Sequence, residues 1–442
     1  MADGARSDHP GLQAQLDRLT VFSPGSDVLG LERVSRLLAK LGNPQHRLPP
    51  VFHVAGTNGK GSACAYLRAC LEAAGHRVHV YTSPHLVRFN ERIRLAGTLI
   101  GDEALADLLK YTLDANGDDQ ISFFEATTAA AFKAFAETPA DACVIEVGLG
   151  GRLDATNVIE RPLVCGITQL GIDHQFFLGE KIEDIAAEKA GIAKPGVPLL
   201  TQHYPAALAN RIGEVATEAG AEWLPRGGDW DATVYQGQLH YRDARDKLAL
   251  PLPRLPGLHQ ADNAALAVAM LRHQTALEVP LAALRAGLGW ADWPARLQKL
   301  DPGPLADLLP EGSQLWLDGG HNPAAARALA DALRALVPAD QPFLIVLGML
   351  TNKDAAGFLK PFAGRTSAVY TVPIVDHECH SPATLAELAR ATGLSAIPAT
   401  DVSDALRRIA IHADRAKPPF VLIAGSLYLA GTVLHDNEMD PD

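Results

Sequence analysis

An α/β architecture, with a P-loop-type, mostly parallel sheet domain followed by a smaller Rossmann-like α/β domain, follows from three features of this 442-residue sequence. Short apolar runs alternate with segments of helical period along nearly the whole chain, the pattern of a parallel sheet covered by helices. One run, Val51–Ala55, breaks into Gly56-Thr57-Asn58-Gly59-Lys60-Gly61-Ser62 before a helical stretch with apolar Leu67, Cys70 and Leu71. The alternation lapses at a Pro/Trp-rich segment, Trp290–Arg296, which reads as a linker, and then restarts. A chain of this length exceeds the roughly 250–300 residues at which single cores stop growing. The domains are therefore placed at residues 1–296 and 297–442.

Bulk composition narrows the function classes. A formal net charge of −12 argues against nonspecific binding to nucleic acid or to an anionic membrane, and requires a local basic pocket for any anionic substrate. The five cysteines (Cys64, Cys70, Cys143, Cys165, Cys379) form no C-x-x-C pair and several lie in apolar runs. They read as buried thiols of a reducing compartment, with no zinc site. The N-terminus lacks a basic-then-apolar leader pattern and no apolar run reaches membrane length, so the expected location is the cytoplasm.

In chain order, residues 1–20 are polar with a short helical pattern, and Val34, Leu37, Leu38 and Leu41 mark an amphipathic helix ended by Gly42 and Pro44. Val51–Ala55 is a buried strand, and the glycines after it let the backbone approach an anion while Lys60 supplies charge. The spacing departs from G-x-x-x-x-G-K-[ST] because Val54 stands where the first glycine belongs; a tight βα turn with an incidental lysine is the alternative. Strand Val78–Tyr81 leads into Thr82–Arg92, too polar and Pro-interrupted for a core element, at a strand's carboxyl end where open α/β sheets place ligands. Helices are expected near 102–114 and 125–137.

Cys143–Val147 is an apolar run enclosing one carboxylate, Glu146, costly to bury unless paired or bound to a metal. A glycine-rich segment, Gly148–Asn157, follows, then a strand at Leu163–Thr168, polar Asp173 and His174, and a helix over Lys181–Ala193. Alternation around Gln236-Gly237 makes Ala232–Arg242 an antiparallel hairpin, followed by a helix over Asp262–Gln274. Beyond the linker, strands are expected at Leu315–Leu317, Phe343–Leu347, Ala368–Val372 and Phe420–Ala424, with helices near 323–336, 354–362, 382–391 and 402–413.

Taken together and in order, the motifs resemble the folylpolyglutamate synthase/dihydrofolate synthase family, a branch of the Mur-ligase-like acid–amino-acid ligases. They are Gly56–Ser62, Ser83-Pro84-His85-Leu86 with Asn90-Glu91-Arg92, Glu146–Asn157, Asp173-His174, Glu188–Ile192, Asp262–Ala265, Asp318 with His321-Asn322-Pro323, and Gly425-Ser426. The resemblance spans residues 28–428 and implies an ATP-dependent ligase. ATP phosphorylates a carboxylate of a pterin substrate, and the amine of glutamate displaces the phosphate. Such chemistry rests on positioning and electrostatics.

The resemblance also implies roles. Thr57, Asn58, Gly59, Lys60, Gly61 and Ser62 cradle the phosphates of ATP, and Asn263, Arg296 and Asp318 bind the nucleotide. Ser83, Glu146, His174 and Lys189 hold magnesium, as one or two ions, with a monovalent cation as a further candidate. Lys189 does so as a carbamate, the alternative being a Glu188/Lys189 surface pair. Lys60, Lys189 and His321 are the catalytic candidates. Leu29, Gly30, Ser122, Phe123, Phe124, Glu125, Leu153, Asp154 and Ala155 are implied to bind the pterin, Phe124 by stacking and Asp154 by accepting ring N–H groups. Two departures stand out: Val28 where some relatives carry an acid, and Ala295 where Pro-Gly-Arg is frequent, alanine tolerating positive φ poorly.

The implied substrates are dihydropteroate, reduced folates, L-glutamate and ATP, handled by a monomer that binds neither nucleic acid nor membrane. The first 296 residues are the ATP- and pterin-binding ligase domain and the rest the glutamate-ligase domain. Alternatives are a folate enzyme with one of the two activities, a cell-wall peptide ligase of Mur type, and a non-catalytic nucleotide-binding module. The Ser83–Leu86 stretch and the absence of a nucleotide-sugar domain before residue 50 favour the folate branch over the second. The presence of Lys60, Glu146, His174 and Lys189 together argues against the third.

Overall fold

The computed structural model describes residues 5–22 and 29–441; Val28, one of the two departures noted above, lies outside the described residues. One compact unit runs to Arg254 and takes in His259–Asp292, and a second comprises Leu255–Leu258 with the chain from Trp293 onward. The division falls before Arg296 because Ala295 is tied to the second unit, its N–H donating to Gln298 and its carbonyl accepting from Gly319.

The first unit opens with α1 (Pro10–Phe22) and α2 (Glu32–Lys40), then β1 (Val51–Ala55), α3 (Lys60–Ala73) and β2 (Val78–Tyr81). A short hairpin, β3 (Ile93–Leu95) and β4 (Thr98–Leu99), precedes α4 (Asp102–Asn116), α5 (Phe123–Glu137) and β5 (Ala142–Glu146). The chain continues through β6 (Val164–Ile167), α6 (Gln175–Leu178), α7 (Ile182–Ala190), β7 (Pro198–Thr201), α8 (Ala206–Glu218) and β8 (Glu222–Pro225). The expected hairpin is a three-stranded antiparallel sheet of β9 (Trp230–Tyr235), β10 (Gln238–Asp243) and β11 (Lys247–Pro251). Helices α9 (Leu258–Arg272) and α10 (Leu281–Trp290) complete the unit. The large sheet has the order β4-β3-β2-β5-β1-β6-β7-β8, parallel except for the β3–β4 edge.

Strand β1 sits between β5 and β6 and is buried on both faces, which is why it is apolar at every position but His53. One core gathers α1, α2, α4 and α5 around Tyr81, Cys143 and Ile145, and another packs α7 and α8 against Cys165, Ile167 and Leu199. The expected helix over Lys181–Ala193 stops at Ala190, where Gly191 begins a turn.

The second unit contains β12 (Gln298–Lys299), β13 (Gln314–Leu317), α11 (Pro323–Leu336), β14 (Phe343–Leu347), α12 (Ala355–Leu359), β15 (Ala368–Thr371), α13 (Pro382–Ala391), β16 (Ala396–Pro398), α14 (Val402–His412), β17 (Phe420–Ala424) and α15 (Leu427–Asp436). Its sheet order is β12-β13-β17-β14-β15-β16, parallel apart from β12. All five cysteines are free thiols, four of them buried. No helix among the described residues is long and apolar enough to cross a membrane.

Candidate active site

Four neighbouring strands, β2, β5, β1 and β6, run parallel, so the loops that leave their carboxyl ends gather along one rim of the sheet. These loops carry the segments after Tyr81, Glu146, Ala55 and Ile167. Residues scattered over more than a hundred positions of sequence are thereby collected by sheet order alone.

The glycine loop after β1 is pinned from below. The N–H groups of Thr57 and Asn58 donate to the Gln169 carbonyl at 2.9 and 3.1 Å, and the Thr57 hydroxyl donates to the Gly171 carbonyl at 3.0 Å. Gly59 caps α3 at φ +88, where a Cβ would lie 2.3 Å from Asn263 Oδ1. Glycine is required there for both backbone conformation and space. Gly56 is similarly closed off, a Cβ falling 1.9 Å from Thr168 Oγ1. Ser62 Oγ is buried at the helix start with no hydrogen-bond partner, so the cradle holds an unused polar group. Lys60 Nζ lies 3.8 Å from Glu146 Oε1, both side chains largely buried. The resulting set of glycine approach, helix N-terminus, lysine and unspent hydroxyl fits a bound triphosphate.

Glu146 ends β5 at 4 % exposure, and Ser83 N–H donates to its Oε2 at 3.3 Å. The loop Thr82–Arg92, expected outside the core because it is polar, is largely buried: His85, Phe89, Asn90 and Arg92 are all within the protein. Its polarity is satisfied internally. Glu91 accepts from the N–H groups of Leu86, Val87 and Arg88, and Arg92 Nε donates to His85 Nδ1 at 2.9 Å while its guanidinium stacks over Phe89 and Phe123.

Lys189 is the most perturbed cation of the rim. It is buried, donates to the Gly56 carbonyl at 2.8 Å, and is held down to about 7, first by burial and then by the charge of Lys60. The surface-pair alternative fails because Glu188 faces Arg152 instead, at 2.7 and 2.9 Å. Backbone crowding sets this up: a Cβ on Gly151 would meet the Glu188 carbonyl at 2.5 Å. His174, at φ +51, is exposed just before α6. Among the described residues no group of three or more His, Cys, Asp or Glu side chains could hold a metal ion. The expected set contains two of that kind, Glu146 and His174, so hydroxyl and modified-lysine oxygens would have to complete it. Those are hard oxygen donors of the sort magnesium takes.

The implied pterin residues divide by environment. Phe123 is a core residue, edge-on to Phe89, while Ser122 and Glu125 form a capping box on α5 and Glu125 pairs with Arg33 at 2.9 Å. These three set the position of Phe124, whose ring tip leaves no room for a Cβ at Gly148 (2.4 Å). Asp154 is 3 % exposed, and its carboxylate accepts from the N–H groups of Leu149 and Thr156 and from the Thr156 hydroxyl. Burial raises its pKa against those bonds. Leu153 and Leu29 and Gly30 are part-buried, and Ala155 is buried at the start of a short 3-10 turn.

In the second unit, Asp318 follows β13 and accepts from Leu297 N–H and Gly320 N–H, each at 2.7 Å. Ala295 and Leu297 have φ of +55 and +45, so the doubt attached to alanine is resolved in favour of the left-handed turn. Arg296, between them, donates to the Ala295 carbonyl. His321 Nδ1 contacts the Gly319 carbonyl at 2.9 Å.

Residues 308–427 match the Mur ligase, glutamate ligase domain. The dihydrofolate synthase/folylpolyglutamate synthase of Escherichia coli is 39 % identical over 347 residues, 78 % of each chain. This chain belongs to the folylpolyglutamate synthase/dihydrofolate synthase family. The folylpolyglutamate synthase of Lacticaseibacillus casei is 36 % identical over 421 residues, covering 91 % of this chain and 92 % of that one. Among solved structures, Escherichia coli FolC in complex with DHPP and ADP superposes with a TM-score of 0.86 at 34 % identity, covering 98 % of both chains. A bifunctional family member with Mn, AMPPNP and L-glutamate bound gives 0.84 at 34 %, covering 98 % of this chain and 99 % of that one. Members of the family are ATP-dependent glutamate ligases, and this chain is one of them.

Sequence reading missed the ties that hold these loops: Gln169 under the glycine loop, Glu91 inside its own loop, Arg33 on Glu125, and His53 against Thr156 at 2.8 Å. The Ser122-x-x-Glu125 spacing was a legible capping-box signal; the others carried none.

Proposed function

We propose that this protein joins L-glutamate to dihydropteroate and also lengthens the γ-glutamyl tail of reduced folates. The observation that carries the reading is the pairing of a glycine-lined anion cradle with Lys60 beside buried Glu146, on the rim where Lys189 also lies. A carboxylate oxygen of the pterin substrate attacks the γ-phosphorus of ATP, the bond to the bridging oxygen breaks, and ADP leaves. The amine of glutamate then attacks the acyl carbon, losing a proton, and inorganic phosphate departs with the bonding pair.

In this assignment the N–H groups at the start of α3, Lys60 to Ser62, and the Ser62 hydroxyl bind the phosphates. Thr57 and Asn58, whose N–H groups Gln169 holds, and Gly59 set the loop around them, and Lys60 offsets charge that develops as ADP separates. Glu146, Ser83, His174 and a carbamate on Lys189 would hold magnesium, which supplies phosphate charge neutralisation when bound. An amine held to about 7 is neutral for a large fraction of molecules at neutral pH, the state that adds CO₂. Arg296, Asp318 and Asn263 are assigned to the nucleotide, and His321 to the vicinity of its γ-phosphate. Phe124, Leu153, Ala155, Leu29 and Gly30 are assigned to the pterin. Ser122, Phe123 and Glu125 set the pose of Phe124, and Asp154, whose carboxylate is spent on its own loop, sets that of Ala155. The unit that ends at Asp292 is assigned as the ATP- and pterin-binding part and the unit from Trp293 onward as the glutamate-ligase part of a cytoplasmic monomer.

ADP release is measured with glutamate plus dihydropteroate and, side by side, glutamate plus a reduced folate. Turnover with both is expected. Turnover with one alone reduces the assignment to a single activity, and turnover with neither removes it.

A further inference from the structure

The most buried titratable side chain beneath the pterin loop is His53, in the middle of β1 and fully inaccessible to solvent. Its Nε2 lies 2.8 Å from Thr156 Oγ1, and its Nδ1 is buried without a hydrogen-bond partner. Thr156 Oγ1 is also bonded to Asp154 Oδ1. A threonine hydroxyl has one proton to give. Asp154 already receives the N–H groups of Leu149 and Thr156, both at 2.9 Å, and accepts from Gly148 as well, so it stands as the accepting carboxylate. The Thr156 proton therefore points to Asp154, and His53 must donate from Nε2.

We propose that His53 and Thr156 are positioning residues for the pterin site, forming a directed chain, His53 Nε2–H to Thr156 O–H to Asp154 carboxylate, that fixes the loop presenting Leu153 and Ala155. The proposal rests on the pterin assignment above. Its logic is geometric. Asp154 caps the 3-10 turn Ala155–Val158 and simultaneously gathers the N–H groups at the start of the Gly148–Asp154 loop, so its carboxylate orientation sets where both ends of the loop lie. The chain anchors that carboxylate to β1, the same strand that delivers the phosphate loop. A shift in the chain displaces the pterin relative to the phosphates without altering the phosphate loop itself. No element of the chain reaches the reacting atoms, so its signature is in pterin binding and not in the chemical step.

The test uses the full-length enzyme. Thr156→Val removes the hydroxyl at nearly constant shape, and Thr156→Ser restores it. KM for dihydropteroate is expected to rise about tenfold or more in Thr156→Val, because the hydroxyl's bond to the Asp154 carboxylate is a bond to a charged group. KM for ATP and kcat are expected to stay within about twofold, and Thr156→Ser to return the pterin KM to within about twofold of wild type. An equal rise in Thr156→Ser, or a loss confined to kcat, overturns the chain. Phe124→Ala serves as the control for the site itself. If it raises the pterin KM while Thr156→Val does not, the chain is wrong and the site stands; if neither does, the site assignment fails and the chain with it. Independently of activity, nitrogen NMR of ¹⁵N-histidine-labelled protein is expected to show His53 protonated at Nε2 and bare at Nδ1 at neutral pH. The opposite tautomer would sink the proposal even in a fully active enzyme.

Discussion

The two turns that carry the nucleotide-binding candidates solve the same backbone problem differently. In the first unit, the turn after β1 uses Gly59 at φ +88, and Asn263 stands where any Cβ would go. In the second, the turn before β12 holds Ala295 at φ +55 and Leu297 at φ +45, both buried side chains. Each non-glycine residue in that region costs about 1–2 kcal/mol. The cost is met by tertiary bonds: Ala295 to Gln298 and Gly319, and Leu297 to Asp318. The lesson is that positive φ alone does not demand glycine. Positive φ together with a neighbour inside van der Waals reach does.

Several experiments would break or sharpen this contrast, beginning with the largest effect. Lys60→Ala removes the charge that follows the glycine turn while leaving the turn intact. Ligation is expected to fall on the order of 10³-fold with the melting temperature close to wild type. Loss of folding with normal specific activity in what remains folded would reverse the assignment. Next, Lys189→Ala removes the amine bonded to the first glycine of the same turn. Near-complete loss of activity is expected, with partial rescue by added short-chain carboxylates, and wild-type activity should drop when dissolved CO₂ is stripped. A variant of normal rate would end the carbamate assignment.

Gly59→Ala tests the contrast directly. The clash with Asn263 and the positive φ together should raise KM for ATP by at least about tenfold. If Gly59→Ala behaved like wild type, the spatial half of the argument would be wrong.

The strand feeding the turn offers a pH test. His53 is held down to about 3 from 6.5, by burial first and by the Lys194 charge second. Between those values the unfolded chain binds the extra proton, so the native state loses stability as pH falls from 6.5 toward 3, and nothing changes above 6.5 from this group. The slope is at most about 1.4 kcal/mol per pH unit. Denaturant unfolding of wild type and His53→Gln at pH 5.5 and 4.5 should therefore differ by about one proton's worth of slope; parallel curves would show that His53 does not carry it.

The smallest effect is expected at Ala295→Gly. Relief of the left-handed strain and the greater freedom of the unfolded chain nearly offset, leaving stability within about 1 kcal/mol and activity within about twofold. A loss well beyond that, read by calorimetry, would mean that the Ala295 methyl carries packing the contrast leaves out.

How much of this was legible beforehand varies by residue. Val51–Ala55, Cys143–Val147 and Phe420–Ala424 are central parallel strands, and a strand buried on both faces is apolar at nearly every position, with His53 and Glu146 the exceptions here. The glycine loop with Lys60 was legible because anion binding at a helix start demands small residues and a cation in a fixed local order. The motifs in family order carried the ligase identity. Those are local constraints, written in consecutive residues, and they determined the fold class, the glycine turn that opens α3 and the family.

Tertiary structure alone decided the rest. It buried the polar Thr82–Arg92 loop by turning Glu91 onto three backbone N–H groups. Arg152 took Glu188 and freed Lys189 to reach Gly56. An alanine was admitted at a left-handed position through bonds to residues 298 and 319. His53, Thr156 and Asp154 became one chain although the first lies a hundred residues from the others. Each outcome depends on which strands become neighbours, and partners chosen by sheet order leave no period or spacing in the sequence that could announce them.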